Sequence, residues 1–239
     1  SSRHKPRNLH MAALADEDLK AQLLGAILPH VAFDGWSETS VNAACKDLSV
    51  TRPMVALVCP RGAIDLAVRF HHDGDEAMQV KLQKSDLNAM KIREKITLAV
   101  RLRLEAIADK EAVRRATSLF ALPQHAGEGA KLIWGTADDI WDVLQDSSRD
   151  VNWYSKRATL SAVYGATVLF WLGDESPGHA ATWAFLDRRI ENVMQIELAK
   201  AKIRDNKPLS AALAGPLWLL GKIKAPRMRD DLPGRASKF

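Results

Sequence analysis

Asp150-Val151-Asn152-Trp153-Tyr154-Ser155-Lys156-Arg157 opens the stretch whose reading decides the fold, and an uncharged run from Ala158 to Gly173 completes it. Between Ala158 and Leu172 the polar side chains are Thr159, Ser161, Tyr164 and Thr167, so nearly the whole circumference of a helix can be buried there. Leu160, Tyr164, Val168 and Trp171 recur at helical spacing. Asp150 or Asn152 can cap this helix by accepting a hydrogen bond from its free backbone amides, which leaves Trp153 and Tyr154 on the first turn. After a break at Gly173 to Gly178, Thr182-Trp183-Ala184-Phe185-Leu186-Asp187-Arg188-Arg189-Ile190 begins another helix. The stretch holds no catalytic pattern, which points to binding rather than chemistry.

Working outward, the same period returns. Leu19, Leu23, Leu24, Ile27 and Val31 share one face of a helix that Gly35 ends, and Ile92, Ile96, Val100, Leu104 and Ile107 repeat the pattern from Met90 to Ala108. No Gly-bounded alternating run argues for a strand. Breakers at Pro60-Arg61-Gly62, His72-Asp73-Gly74-Asp75, Pro123 to Gly129, Gly135, Gly173 to Gly178 and Lys207-Pro208 divide the chain into an expected nine or ten helices. The fold class read from these residues is all-α.

With 239 residues, 47% of them hydrophobic, the chain can bury a substantial core. Two cysteines, Cys45 and Cys59, and no secretory signal pattern point to a reducing compartment. No apolar run reaches the roughly 20 residues of a membrane-spanning helix. The net charge of +5 divides unevenly. Residues 1–10 and 200–239 together carry +10, which leaves the body at −5, so the pI of about 9.2 reports two basic ends rather than a surface for nucleic acid.

Signatures of chemistry are weak. No Glu is followed three residues on by His, as a di-iron helix bundle requires. The Gly-x-Ser-x-Gly elbow and the Walker loop are absent, and Gly127-Glu128-Gly129 reads as a turn rather than a nucleotide site. His71-His72-Asp73 beside Asp75 and Glu76 reads as a solvated loop cluster, with metal ligation the less favoured alternative, and the cysteines have no partner pair at zinc spacing. No catalytic residue, metal or cofactor is expected.

The first fifty-odd residues resemble the helix-turn-helix unit of TetR-type regulators. A helix over Asp18 to Ala32 leads to a second from Thr39 to Lys46, then to Arg52 to Val58 in the recognition position and to a fourth helix from Arg61 to Phe70. The DNA-reading chemistry is missing. From Asp16 to Phe70 five cations face seven anions, and Pro53-Met54-Val55-Ala56-Leu57-Val58 offers nothing to base edges. The unit reads as a retained scaffold, so no nucleic acid partner is expected.

Asp138-Asp139-Ile140-Trp141, Asp150 to Thr159 and Thr182 to Ile190, set on that frame, are similar to the corresponding segments of the ubiquinone (coenzyme Q) biosynthesis accessory proteins, a lipid-binding family with a TetR-like fold. The resemblance runs over roughly residues 18–225. It implies a surface patch for the di-iron demethoxyubiquinone hydroxylase at Asp138, Ile140, Asp150, Asn152, Trp153, Tyr154 and Arg157. From composition alone, Trp153 and Tyr154 read equally as core cover or as an interface hot spot. The resemblance also implies an isoprenoid lipid. The expected cavity is lined by Ile96, Val100, Leu104, Leu160, Tyr164, Val168 and Trp171.

The C-terminal segment carries a separate signal. Leu209, Leu213, Leu217 and Leu220 fall on one face with Trp218 beside them, and no carboxylate occurs from Asn206 to Arg229. With Lys222 and Lys224 at the margin, this composition suits an amphipathic helix on an anionic membrane, and the family ends in such a helix. Docking on the core or on a dimer partner is the alternative. The expected organisation is a tail over 1–15, a helix-turn-helix-like unit over 16–70, a ligand- and partner-binding unit over 71–205, the amphipathic helix over 206–229 and a tail over 230–239. The expected protein is a non-enzymatic homodimer that presents a quinone precursor to the hydroxylase. It would lie on the inner face of a bacterial inner membrane or, alternatively, on the matrix side of the mitochondrial one. A ligand-responsive transcriptional regulator and a quinone-modifying enzyme are the rival readings.

Overall fold

The computed structural model of the protein describes residues 5–146 and 151–205, which form nine α-helices and a short 3-10 turn, with no strand among the described residues. In chain order, α1 is Lys5–Asp34, α2 Glu38–Leu48, α3 Arg52–Val58, α4 Ala63–Gln83, α5 Ile92–Glu105, α6 Lys110–Phe120, α7 Ala126–Val143, α8 Val151–Gly173 and α9 Ala180–Asp205, with the turn Pro177–His179 ahead of α9. Asp150 and the amphipathic segment 206–229 lie outside the described residues.

Local signals place the first helices. Gly35, at φ +67, takes the left-handed conformation that stops α1, and its N–H bonds back to the Val31 carbonyl at 2.9 Å. The Ser37 side chain then caps α2 by accepting from the Ser40 N–H at 3.3 Å. Thr51 precedes α3 and Pro53 sits in its first turn, so α3 covers the very residues expected in the recognition position. Leu23, Ile27, Val31, Val41, Val55 and Leu66 meet in one core. Trp36 extends it to α6, its indole N–H donating to the Ala112 carbonyl at 3.0 Å. The second core takes Met78 and Leu82 from α4, Val100 and Leu104 from α5, Ile140 from α7, Leu160 and Tyr164 from α8 and Leu186 from α9.

Three expected breaks are not breaks. The chain is already helical from Lys5, because Pro6 fits a first turn and no Gly or Pro follows until Gly25. Gly127-Glu128-Gly129 forms the first turn of α7 rather than a loop, and α7 continues through Gly135. His72-Asp73-Gly74-Asp75 lies inside α4, which feeds both cores, so the expected boundary at residue 70 falls within one continuous helix.

The reason α4 runs on is a buried ion pair. Arg103 donates through Nε to Asp75 at 2.7 Å and through Nη2 to the His71 carbonyl at 2.9 Å, and both charged side chains are almost wholly enclosed. Thr136 donates its hydroxyl to Asp75 at 2.8 Å, which leaves its oxygen free to accept from His71 Nε2, also at 2.8 Å. Burial pushes the Asp75 carboxyl up, but His71 and Arg103 outweigh it and hold the group below its usual value. A Cβ on Gly74 would stand 2.4 Å from Arg103 Nη1, so this glycine makes room for the guanidinium.

Gly74→Ala is therefore expected to lower stability by roughly 1–3 kcal/mol through forced displacement of Arg103. Gly25→Ala, where nothing stands within 4 Å, should instead raise it by about 0.5–1 kcal/mol. Urea unfolding of the two variants reads the difference in sign.

Candidate functional site: an aromatic and acidic patch beside an apolar cavity

Arg157 organises the junction of α7 and α8. Its side chain is 1% exposed, and it bonds through Nε to Asp138, through Nη2 to Asp142 at 3.3 Å and through Nη1 to Asp146 at 3.2 Å. Asp138 and Asp142 stand one helical turn apart on α7. Asp146 is brought to the same place by Gln145, which takes the left-handed conformation at φ +58 just past the helix end. Lys156 adds a bond to Asp146 at 2.6 Å. The Trp141 indole N–H donates to the Lys156 carbonyl at 3.2 Å, so the end of α7 and the start of α8 are tied at several points.

The guanidinium also sets the aromatic surface. Arg157 Cζ lies 4.1 Å from the centre of the Trp153 ring, a stacked cation–π contact. Trp153 meets Tyr154 edge-on at 4.8 Å, and Trp134 packs near both at 6.1 and 6.4 Å. Asn152 is exposed, and Trp134, Trp153, Tyr154, Asp138 and Asp142 are half-buried around it. Trp134 is absent from the sequence expectation, although its place one turn before Asp138 on α7 puts it on the same face.

Two expected patch residues are not on the surface. Ile140 is wholly buried in the second core, because two residues beyond Asp138 the helix has turned to its opposite side. Arg157 is buried too, and it lies beneath the patch against the Trp153 ring.

The expected single lipid cavity is resolved into two. The larger, about 530 Å³, lies between α5, the end of α7, the start of α8 and α9. Ile96, Leu160, Val163, Ile190, Val193 and Met194 form its apolar wall, while Trp141, Asp146, Asn152 and Lys156 line it from the patch side. The smaller, about 300 Å³, is bounded by α4 to α8 and takes Tyr164 and Val168 together with His71, Arg103 and Phe120. Of the residues expected in one cavity, Ile96 and Leu160 thus line the larger, Tyr164 and Val168 the smaller. Val100, Leu104 and Trp171 pack in the core and line neither.

The helix-turn-helix unit shows no free basic reading surface on α3. Arg52 pairs with Glu38, and Met54 and Leu57 are the large side chains left exposed. Arg61 and Arg69 are engaged as well, the first with Asp65 and Glu128, the second with Glu17 and Asp73. His71, read as part of a loop cluster, is instead a structural group within α4 bonded to Thr136. Cys45 and Cys59 are buried free thiols, and burial pushes the Cys59 thiol up.

Asp139 differs from the other carboxylates of α7. Burial, then the charge on Asp75, pushes it up to about 6, against a hydrogen bond from Gln79. The folded protein therefore binds a proton that the unfolded chain has released, so this group costs stability progressively as pH rises from about 4 to 6. Asp139→Asn should stabilise the protein more at pH 7 than at pH 4, read by denaturant unfolding at both values. Arg157→Ala leaves buried carboxylate behind and is expected to cost about 3 kcal/mol, the lower end of the usual range because Asp138 and Asp142 keep some water. Arg157→Lys should recover only part of this, since one ammonium nitrogen cannot span the positions that three guanidinium nitrogens reach, and Trp153 fluorescence should shift in both variants.

Comparison with known proteins bears on this region directly. Residues 126–197, which take in α7, α8 and most of α9, match the COQ9 family model. The chain is 29% identical over 187 residues to the probable ubiquinone biosynthesis protein coq9, mitochondrial, of Dictyostelium discoideum, a match covering 74% of this chain and 60% of that one. It is 31% identical over 185 residues to the ubiquinone biosynthesis protein COQ9, mitochondrial, of Drosophila melanogaster, covering 75% and 56%. The human protein of that name is 27% identical over 190 residues, covering 76% and 59%. The chain thus spans somewhat under two thirds of the length of these relatives. Among solved structures, the TetR transcriptional regulator of Nitrosomonas europaea ATCC 19718 superposes with a TM-score of 0.60 at 18% identity, over 73% of this chain and 97% of that one. That likeness concerns the fold, with its degenerate helix-turn-helix. The matched segment and the relatives together make this chain similar to the COQ9 proteins, on a TetR-like frame.

Proposed function

We propose that this protein is a non-enzymatic accessory factor of ubiquinone biosynthesis that holds an isoprenoid quinone precursor and presents it to the di-iron demethoxyubiquinone hydroxylase at a membrane surface. The observation that carries this reading is the sharing of Trp141, Asp146, Asn152 and Lys156 between the docking patch and the larger cavity. A ligand whose ring reached those residues would stand at the edge of whatever docks on Trp153 and Tyr154. The apolar wall suits a prenyl chain, which water solvates poorly and a cavity of this size shelters in part. The patch itself combines three aromatic rings with three carboxylates, the make-up of a hot spot that takes a basic, aromatic-tolerant partner.

The remaining parts of the reading follow the same physics. Leu169 and Phe170 on α8 are exposed, and Phe170 stacks on Phe185 of α9 at 4.5 Å, an apolar face suited to a second copy of the chain. No helix among the described residues is long and apolar enough to cross a membrane. The composition of Leu209, Leu213, Leu217, Trp218 and Leu220, with the cations Lys222 and Lys224 beside them in sequence, suits attachment to an anionic membrane. The relatives are named as mitochondrial, in keeping with the second of the two expected locations. A DNA-reading role is disfavoured by the paired Arg52 and the exposed Met54 and Leu57 of α3.

Organic extraction of the purified full chain followed by mass spectrometry should yield an isoprenoid lipid, and Leu160→Trp should deplete it by filling the larger cavity. Trp153→Ala with Tyr154→Ala should abolish co-purification with the hydroxylase while the lipid is retained. A chain that carries no isoprenoid and still recruits the hydroxylase after both substitutions contradicts the reading.

A further inference from the structure

The smaller cavity has a polar pole that the preceding reading does not use. Most of its wall is apolar, built from side chains such as Phe70, Ile107, Ala116, Phe120, Ile133 and Val168, and the polar groups of His71, Arg103 and Thr117 that also line it are already bonded within the fold. At one end stands Tyr164, which is 2% exposed. No hydrogen bond joins its hydroxyl to another described residue, and the oxygen is not one of the sealed, unsatisfied atoms of the core, so it opens onto the cavity that Tyr164 lines. A buried hydroxyl without a partner costs about 1–3 kcal/mol, so an enclosed tyrosine normally finds one.

The surroundings define the missing partner. Arg103 lies beside the ring, with Cζ 6.0 Å from its centre, and lines the same cavity. Its charge is already committed to Asp75 and the His71 carbonyl. The local potential therefore favours an atom with partial negative charge, whereas a full anion would be buried without an uncommitted cation. Burial, the dominant influence, pushes the Tyr164 phenol up, so it stays protonated and able to donate. The volume of about 300 Å³ lies at the lower limit for ligand pockets and suits a single ring, not a polyprenyl chain.

We propose that the smaller cavity is a second ligand site, separate from the larger one, which takes a small uncharged ring compound and holds a carbonyl oxygen on the Tyr164 hydroxyl. The apolar wall supplies affinity, and the single donor supplies orientation. This inference stands without the proposed function, because it rests on residues that do not line the larger cavity.

The test uses the full chain and two probes of nearly the same shape. Duroquinone is a fully substituted single-ring quinone, and durene is the matching hydrocarbon without oxygens. Equilibrium dialysis should show duroquinone bound more tightly than durene. Tyr164→Phe, which removes one oxygen and keeps the ring, should weaken duroquinone about 5–10-fold and leave durene unchanged, the effect of one hydrogen bond. Ala116→Trp should displace both probes while the lipid extracted from the larger cavity is retained. Equal binding of duroquinone to the wild type and Tyr164→Phe overturns the proposal. So does equal weakening of both probes, which would mark a packing effect, and so does loss of duroquinone in Leu160→Trp but not in Ala116→Trp. Absence of an isoprenoid with duroquinone behaviour intact would count against the proposed function alone.

Discussion

One buried guanidinium carries the geometry on which the candidate site depends. Arg157 joins α7 to α8 by meeting Asp138, Asp142 and Asp146 at once, each through a different nitrogen of its planar fork. Its bonding fixes where α8 begins relative to the end of α7. That placement in turn stacks Trp153 over the guanidinium, brings Trp134 and Tyr154 alongside and closes one side of the larger cavity with Trp141 and Lys156. The desolvation cost of enclosing the charge is offset because three carboxylates surround it and each guanidinium nitrogen is bonded to one of them.

From that junction α8 runs on as the common wall of both cavities. Asn152, Ser155, Lys156, Thr159, Leu160 and Val163 line the larger and Tyr164, Gly165, Val168 and Leu169 the smaller, so one helix serves two spaces of different character. A charge at Leu160, Val163, Tyr164 or Val168 would face an apolar space without an acceptor, which is a physical reason for neutral residues at these positions. The two ion-pair systems bracket it. Arg157 stands at the patch end and Arg103 against Asp75 stands at the small cavity, each paired with carboxylate and each nearly closed to water.

Much of the frame was legible in the residues, and the failures have physical causes. α3 and the end of α1 follow from capping and from Gly35, signals that act within a few residues and need no tertiary context. The run through Gly74 was not legible, since Gly beside His and Asp reads as a turn until Arg103, 29 positions away, is seen to occupy the space a Cβ would take. Ile140 and Arg157 illustrate the same limit. Composition marks a segment as interface-like, but it does not say which of its side chains turn inward, and a buried arginine is visible only once three acids converge on it. The division of one expected cavity into two was likewise beyond periodicity, because Leu160 and Tyr164 share a helix face and yet border different spaces.

On the proposed function, the hydrophobic cargo sits next to the aromatic patch, in the larger cavity. Photolabelling the full chain with a diazirine-bearing prenyl quinone, followed by peptide mass spectrometry, tests this most directly. Labels on Ile96, Leu160, Val193 and Met194 are the predicted result. Labels concentrated on Phe120, Val168 and Leu169, or spread over the surface without saturation, would contradict it.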